Sequence, residues 1–382
     1  MRVAMLHWAF PPMIGGVETH LAMLGPGLVE RGVGVDLLTC PAEGCPAREE
    51  YRGVRVSRTP LMNLNELPPG RLEKEAGAVK DTIAEFIRES DPDLVHAHNF
   101  HYFSPVHARA LSEAAEEAGT PVILTAHNAW DDELAAGLNK MAHRWDGVIA
   151  VSRFIEKELA GAGYVANRIR VVHHGIDTRR FTPGLGRDRF AGRRVIFHPA
   201  RMCHDKGTHV AVEALGMIRE EYPDVLLVMA GTGQMVDWRH LRDGYMKIIT
   251  RRIKELHLQD NVHVEFYPWQ EMPGAYREAE ICIYPSCFQE PFGLALLEAN
   301  ASGRPMVVSR AGGMPEIIRD GVSGFLVDMH DHRQLARRCL DLLADPALSA
   351  RMGEAGISMV EERFGVNAMV ENTLAFYREV TG

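Results

Sequence analysis

Two periods of apolar and polar positions alternate along the chain. Residues 2–7 form a short apolar run, and Val17, Leu21, Leu24 and Leu28 then recur at helical spacing up to Arg31-Gly32. Pro26 falls inside that helix and is expected to bend or shorten it. Strands are predicted over 33–39, 54–58, 93–97, 121–126, 147–151 and 169–173, with helices over 72–89, 106–118, 132–142 and 153–159 between them. A second series follows, with strands over 195–199, 225–230, 262–266, 281–284, 305–309 and 324–327. Its helices are predicted over 207–221, 236–256, 292–300 and 313–319, and three more over 331–344, 347–361 and 366–380 close the chain. Strands that are apolar throughout and alternate with helices imply parallel sheets covered on both faces. The polar stretch 177–194, with Pro183, Gly184 and Gly186, reads as a linker between the two series. The expected fold is therefore α/β, with two doubly wound Rossmann-like domains over 1–182 and 183–382.

Composition narrows the function. The chain has 382 residues, 46% hydrophobic and 24% charged, as in an ordinary globular protein long enough for two domains. A net charge of −9 argues against nucleic acid as a partner. No apolar run is long enough for a transmembrane segment, and residues 1–10 read as a buried strand rather than a signal peptide. The six cysteines form no CxxC pair and have no ligand spacing with histidine, and the 18 histidines are scattered rather than grouped. Reduced thiols, a cytoplasmic location and no metal are the expectation.

Chemistry concentrates at the ends of the predicted strands, where doubly wound sheets bind ligands. In the first series these ends carry His7, His96-Ala97-His98, His127-Asn128, Ser152 and His174-Gly175. Gly15-Gly16 opens the first helix and lets backbone approach a phosphate, although a tight turn needs the same pair. It is not GxGxxG, which disfavours a nicotinamide-dependent dehydrogenase. In the second series, Arg201 and Lys206 lie in HPARMCHDKG, and Gly231 and Gly233 lie in a turn after the strand over 225–230. The stretch from Tyr284 to Glu298 reads YPSCFQEPFGLALLE. Glu290 falls in its strand-to-helix loop and Glu298 inside the helix, while the N–H groups of Phe292, Gly293 and Leu294 would face an anion. One carboxylate can accept from sugar hydroxyls and the other from a ribose. Two glutamates alone are more often an exposed loop residue and a helix-surface residue.

The whole string EPFGLALLEA, with Gly312 to Glu316 as Gly-Gly-x-Pro-Glu, resembles the retaining glycosyltransferases of the GT-B fold. This is the group of glycogen synthases, sucrose-phosphate synthases and phosphatidylinositol mannosyltransferases. The resemblance runs over essentially the whole chain. It implies two domains facing across a cleft, the last helix, about 366–380, crossing back to the first domain, and a nucleotide-diphosphate sugar (UDP or GDP) as co-substrate without cofactor or metal. It implies Arg201 and Lys206 on the diphosphate, Glu298 on the ribose, and Glu290 with the 292–294 backbone on the sugar and near phosphate. Tyr267 would fall near the base, and Gly231 and Gly233 beside the nucleotide. His127, in LTAHN, would position the donor sugar, with His98, Asn128 and His174 on the acceptor side. His174 departs from the family's Asn-Gly-x-Asp turn, and Ala200 stands where relatives carry glycine. The expected reaction is retaining transfer of a hexosyl group by front-face substitution to a small soluble acceptor or a glycan intermediate. A glycolipid acceptor at a membrane surface, a sugar-nucleotide epimerase or phosphorylase, and a catalytically silent nucleotide-sugar binder are the alternatives.

Overall fold

A computed structural model of the chain describes residues 1–382 apart from 14, 103, 131, 142, 143, 187 and 232–238. Gly233, residue 142 and the start of the helix predicted over 236–256 lie outside the described residues, and the helix predicted over 132–142 is shorter, Glu133–Asn139. The chain divides into two compact units, one of Met1–Gly175 with Val366–Gly382 and the other of Ile176–Gly365.

The first unit is built on eight described strands. These are β1 (Arg2–Leu6), β2 (Gly34–Thr39), β3 (Arg48–Tyr51), β4 (Val54–Arg58), β5 (Leu94–His98), β6 (Val122–Ala126), β7 (Gly147–Ala150) and β8 (Ile169–Val171). Their order is β3-β4-β2-β1-β5-β6-β7-β8, parallel except for the β3–β4 hairpin. In register, Val3 faces Val35 on one side and Leu94 on the other. Val3 to Leu6 are buried, because a central parallel strand is covered on both faces. Arg52 and Gly53, at φ 49° and 86°, form the two-residue turn into β4. β3, reading REEY, was not predicted. It is a polar edge strand and carries no apolar signal.

The helix Gly16–Val29 continues through Pro26 and is not shortened by it. Gly25 and Gly27 flank the proline where neighbours come close. A Cβ at 25 would lie 2.9 Å from Val54, and one at 27 would lie 2.6 Å from Val370. Tertiary packing on β4 and on the helix Val366–Thr381 therefore holds a segment whose local preference is to break. That last helix buries Met369, Val370, Leu374, Phe376 and Tyr377 in the core of the first unit.

The second unit has six described strands, all parallel, in the order β11-β10-β9-β12-β13-β14. They are β9 (Arg194–His198), β10 (Val225–Gly231), β11 (Val262–Phe266), β12 (Ile281–Tyr284), β13 (Met306–Ser309) and β14 (Gly324–Val327). Ile196, Leu227, Ile283 and Val307 form the sheet side of a core that Leu215, Leu335 and Leu342 close from the helices. The unit begins at Ile176 rather than 183, because Ile176 donates its N–H to Phe364 O and Phe181 packs on Tyr276. The helix expected over 292–300 is Leu294–Ala301. Gly293 precedes it at φ 115°, outside helical backbone, so Pro291, Phe292 and Gly293 belong to the loop and not to the first turn.

Candidate active site

β9 and β12 are neighbours in the second sheet, so the loops that follow them meet beyond their carboxyl ends. Gly207, at φ 70°, brings the first loop against the second. A Cβ there would lie 1.8 Å from Pro285 O, so a side chain at this position would collide with backbone. The approach delivers the Lys206 ammonium to Glu290, with Nζ 2.5 Å from Oε1. Glu290 is only 5% exposed. Ser286 Oγ lies 3.0 Å from the same carboxylate oxygen and 3.0 Å from Asp205 O, bridging the two loops. Burial works against the charge on Lys206. Tyr284 and Glu290 outweigh it and hold its pKa above the ordinary lysine value, so the group stays an ammonium. Arg201 is half-buried and close enough to affect the titration of both Lys206 and Tyr284.

The Gly-Gly-x-Pro-Glu turn explains how Glu290 is fixed. Gly313 N–H donates to Glu290 O at 2.8 Å, and Gly312 N–H donates to Gln289 Oε1. Gly312 sits at φ 54°, with the place of a Cβ only 2.0 Å from Glu290 O. The two motifs of the sequence are thus one packed object. Glu298 lies in the helix behind them, half-buried, and accepts from Tyr276 Oη at 2.7 Å. Burial pushes its pKa up to about 7, against the lowering effects of the Tyr276 hydrogen bond and of Arg180. Tyr267 is buried and its hydroxyl accepts from Arg189 at 2.8 Å, an arginine also paired with Glu265 and Glu278. Gly231 ends β10.

In the first unit the strand ends gather histidines. His7, His20, His96, His98, His127 and His174 are all at most 6% exposed. Ring-to-ring hydrogen bonds run from His98 Nδ1 to His127 Nε2 (3.0 Å), from His127 Nδ1 to His174 Nε2 (3.3 Å), and from His174 Nδ1 to His20 Nδ1 (2.8 Å). Burial holds the pKa of all four well below the usual histidine value, His174 at about 3, so the rings are neutral. Asn99, at φ 58°, accepts from His127 N–H at 2.8 Å and so positions that residue. Asn128 accepts from His101 through its backbone carbonyl, and its side-chain oxygen is buried without a hydrogen-bond partner among the described residues. Gly15 precedes the helix Gly16–Val29. A Cβ there would lie 2.2 Å from Glu18 Oε2, and the same carboxylate, through Oε1, accepts from His7 at 3.3 Å. The histidines that looked scattered along the sequence are therefore grouped in space, since parallel topology brings the ends of β1, β5, β6 and β8 to one edge. Donor nitrogens of His20, His98 and His127 fall within 4.8 Å of one another, a spacing that could hold a metal ion. Both ring nitrogens of His127 are already engaged by neighbouring rings, which favours a hydrogen-bonded chain over a metal centre here.

The sequence matches two family models that together span nearly all of it. Residues 187–359 match the glycosyl transferases group 1 model, and residues 14–180 match the glycosyltransferase family 4 model. The chain belongs to the group 1 glycosyltransferases. This glycosyltransferase is 28% identical to a glycogen synthase of Mycobacterium tuberculosis over 99% of its own length and 94% of the relative's. It is 28% identical to a D-inositol 3-phosphate glycosyltransferase of Catenulispora acidiphila, covering 95% of this chain and 90% of the relative. Its fold is that of Anabaena Alr3699/HepE in complex with UDP and glucose, with a TM-score of 0.79, 20% identity, and 99% and 100% of the two chains covered. Each unit is the Rossmann-like half of a GT-B glycosyltransferase. Among the described residues no helix is long and apolar enough to cross a membrane.

The structure brings Arg201, Lys206 and Glu290 together in one unit and His98, His127 and His174 in the other. Sequence reasoning did not single out Ser286, Tyr276, Asn99, His20 or Glu18. The one signal that could have found two of them was their position: Glu18 and His20 follow Gly15-Gly16 in the first turns of the helix, where a strand-end site would be lined.

Proposed function

We propose that this glycosyltransferase moves a hexosyl group from a UDP-sugar to an acceptor hydroxyl with retention of anomeric configuration and without a metal. The buried Lys206–Glu290 pair, seated on the Gly312–Gly313 turn, is the observation that carries the reading. An ammonium has three N–H donors; Glu290 Oε1 takes one and the Tyr284 hydroxyl is within hydrogen-bond reach of another, which leaves one for a phosphate oxygen. As the bond from the anomeric carbon to the diphosphate oxygen breaks, negative charge grows on that oxygen, where Lys206 and Arg201 stabilise it. The acceptor oxygen bonds to the anomeric carbon from the same face, and its proton passes to the departing phosphate. Glu290 accepts from hydroxyls of the sugar, and Glu298 from the ribose. His127 is assigned to the donor sugar on the family motif. UDP is proposed by analogy with the Anabaena complex, and GDP is the alternative, since a 28% identical mannosyltransferase of Mycolicibacterium smegmatis is GDP-mannose-dependent.

A small soluble polyhydroxylated acceptor or a glycan intermediate fits better than a glycolipid. The helix Ala76–Ser90 mixes charge signs, and its Lys80 is paired with Glu113 and Glu117 rather than presented to anionic lipid. The deciding experiment measures binding and hydrolysis of UDP-, GDP-, ADP- and dTDP-sugars in EDTA, without acceptor. Turnover of one donor in EDTA, reduced roughly 10²-fold or more in Lys206→Ala and Arg201→Ala, is expected. Product formed without acceptor other than the free sugar would instead indicate an epimerase, and binding of no donor would leave a silent scaffold.

A further inference from the structure

On the face of the second unit beside the Lys206–Glu290 pair, three ligating side chains converge that the transfer reaction does not use. His209 comes from the first turn of the helix Thr208–Glu221, Cys287 from the loop after β12, and His330 from the loop after β14. Donor atoms of the three lie within 4.8 Å of one another. His209 Nε2 stands 3.9 Å from Cys287 Sγ. The sulfur-to-nitrogen edge of a tetrahedral zinc site is about 3.6 Å, from Zn–S and Zn–N bonds of about 2.3 and 2.05 Å. The spacing is thus close to that of a bound ion, and the ring of exposed His330 has room to close the remainder.

The surroundings are those of a ligand set. His209 Nδ1 lies 2.9 Å from Tyr245 Oη, on the helix Arg239–Glu255, so Nδ1 can carry the proton and leave the Nε2 lone pair toward Cys287. Metal-bound histidines are oriented by such a partner on the second nitrogen. Cys287 is held by its backbone N–H, which donates to Asp205 O at 2.8 Å. The His204 ring stacks on His209 with centroids 4.7 Å apart and walls one side. One thiolate and two imidazoles select a thiophilic divalent cation over magnesium or calcium.

We infer that His209, Cys287 and His330 form a binding site for Zn²⁺, with a fourth position open to solvent. Coordination releases the Cys287 thiol proton to solvent and forms the metal–sulfur bond without any redox step. His209 follows Lys206 by three positions and Cys287 precedes Glu290 by three, so the ion braces the two loops that carry the pair. It takes no part in the transfer itself.

The probe is Co²⁺ added to the reduced, metal-stripped full-length protein, without sugar nucleotide, so the outcome is independent of the donor experiment. One equivalent is expected to give a thiolate-to-cobalt charge-transfer band in the near ultraviolet, displaced by Zn²⁺. Cys287→Ser should abolish the band, and His209→Ala and His330→Asn should weaken binding at least about tenfold. Asparagine is chosen at 330 because that residue sits at φ 65°, a conformation asparagine tolerates, so the fold is kept. Zn²⁺ should raise the melting temperature of the wild type but not of Cys287→Ser. Absence of a thiolate band in the wild type, its persistence in Cys287→Ser, or its loss in Cys203→Ser instead would overturn the assignment.

Discussion

Lys206 and Glu290 are separated by 84 positions and share one short ion pair almost out of water. Removing one partner leaves the other charge buried and unpaired, at a cost of about 3–5 kcal/mol. Lys206→Met and Glu290→Gln should therefore each lower the melting temperature, while the double substitution regains much of it and stays inactive. Equal melting of all four proteins would show that the pair is not a buried one. Glu298 makes a second residue-level prediction. Its pKa near 7 lies above the unfolded value, so the protonated form belongs to the folded state. The stability it contributes is full below the ordinary glutamate value of 4.5 and is lost as pH rises through about 7. Donor binding has the opposite sign, because a ribose hydroxyl needs the carboxylate. KM for the donor should rise as pH falls below about 7, and Glu298→Gln should flatten both profiles while weakening donor binding. Tyr276→Phe removes the hydrogen bond that favours the ionised form and should move the inflection to higher pH. A KM independent of pH between 6 and 8, a range of about one unit either side of that pKa, would remove Glu298 from the donor site.

At the level of elements, the helix Gly16–Val29 depends on two missing side chains. Gly27→Ala places a methyl against Val370 and should destabilise the protein by about 1–3 kcal/mol. Val370→Ala in the same protein should relieve part of that loss, measured by denaturant unfolding. If Gly27→Ala were neutral, the close contact would not be limiting. This helix also shows what the sequence could and could not disclose. Its apolar spacing was plain, and so were the strands β1, β2, β5 to β7, β9, β10 and β12 to β14, where burial leaves continuous apolar runs; β4, β8 and β11 were placed too, although they are partly exposed. Pro26 misled as to the helix's length, since the close packing of Gly25 on Val54 and of Gly27 on Val370 is not visible in the sequence. β3 was silent because an edge strand needs no apolar face. The start of the helix Leu294–Ala301 was placed early because Gly293 reads as helix-compatible until its positive φ is known. Arg201, Lys206, Glu290 and Glu298 were legible through motif strings. Ser286 and Tyr276 were not, because their role exists only in contact with a glutamate.

On the scale of the whole molecule, the chain leaves its first unit at Gly175 and returns to it at Val366. The returning helix supplies Val370, Leu374, Phe376 and Tyr377 to that unit's core, with Arg31 and Arg170 paired to Glu371 and Glu379 on its surface. Deleting residues 366–382 should therefore raise amide exchange through β1, β5 and β7 while leaving β9 and β12 protected. Uniform protection, or uniform loss, would contradict the division into two units. The same arrangement makes the C-terminus a poor place for a fused tag that constrains the last helix.

The four imidazoles from His98 to His20 carry one consequence of arithmetic. Four neutral rings hold four protons on eight nitrogens, and three of those protons must lie between rings. The fourth sits at one terminus, on His98 Nε2 or on His20 Nε2, both buried and without a hydrogen-bond partner among the described residues. The row thus has two polarities; passing from one to the other moves each of the three inter-ring protons across its hydrogen bond, takes up a proton at one terminal Nε2 and releases one from the other. A molecule that offers a hydrogen to His98 turns His20 into a donor, and one that accepts from His98 turns His20 into an acceptor. Histidine at 174 permits that reversal by proton transfer through its two ring nitrogens, which an asparagine amide could match only by rotating. Recognition at one end of the row is written, with inverted sign, at the other.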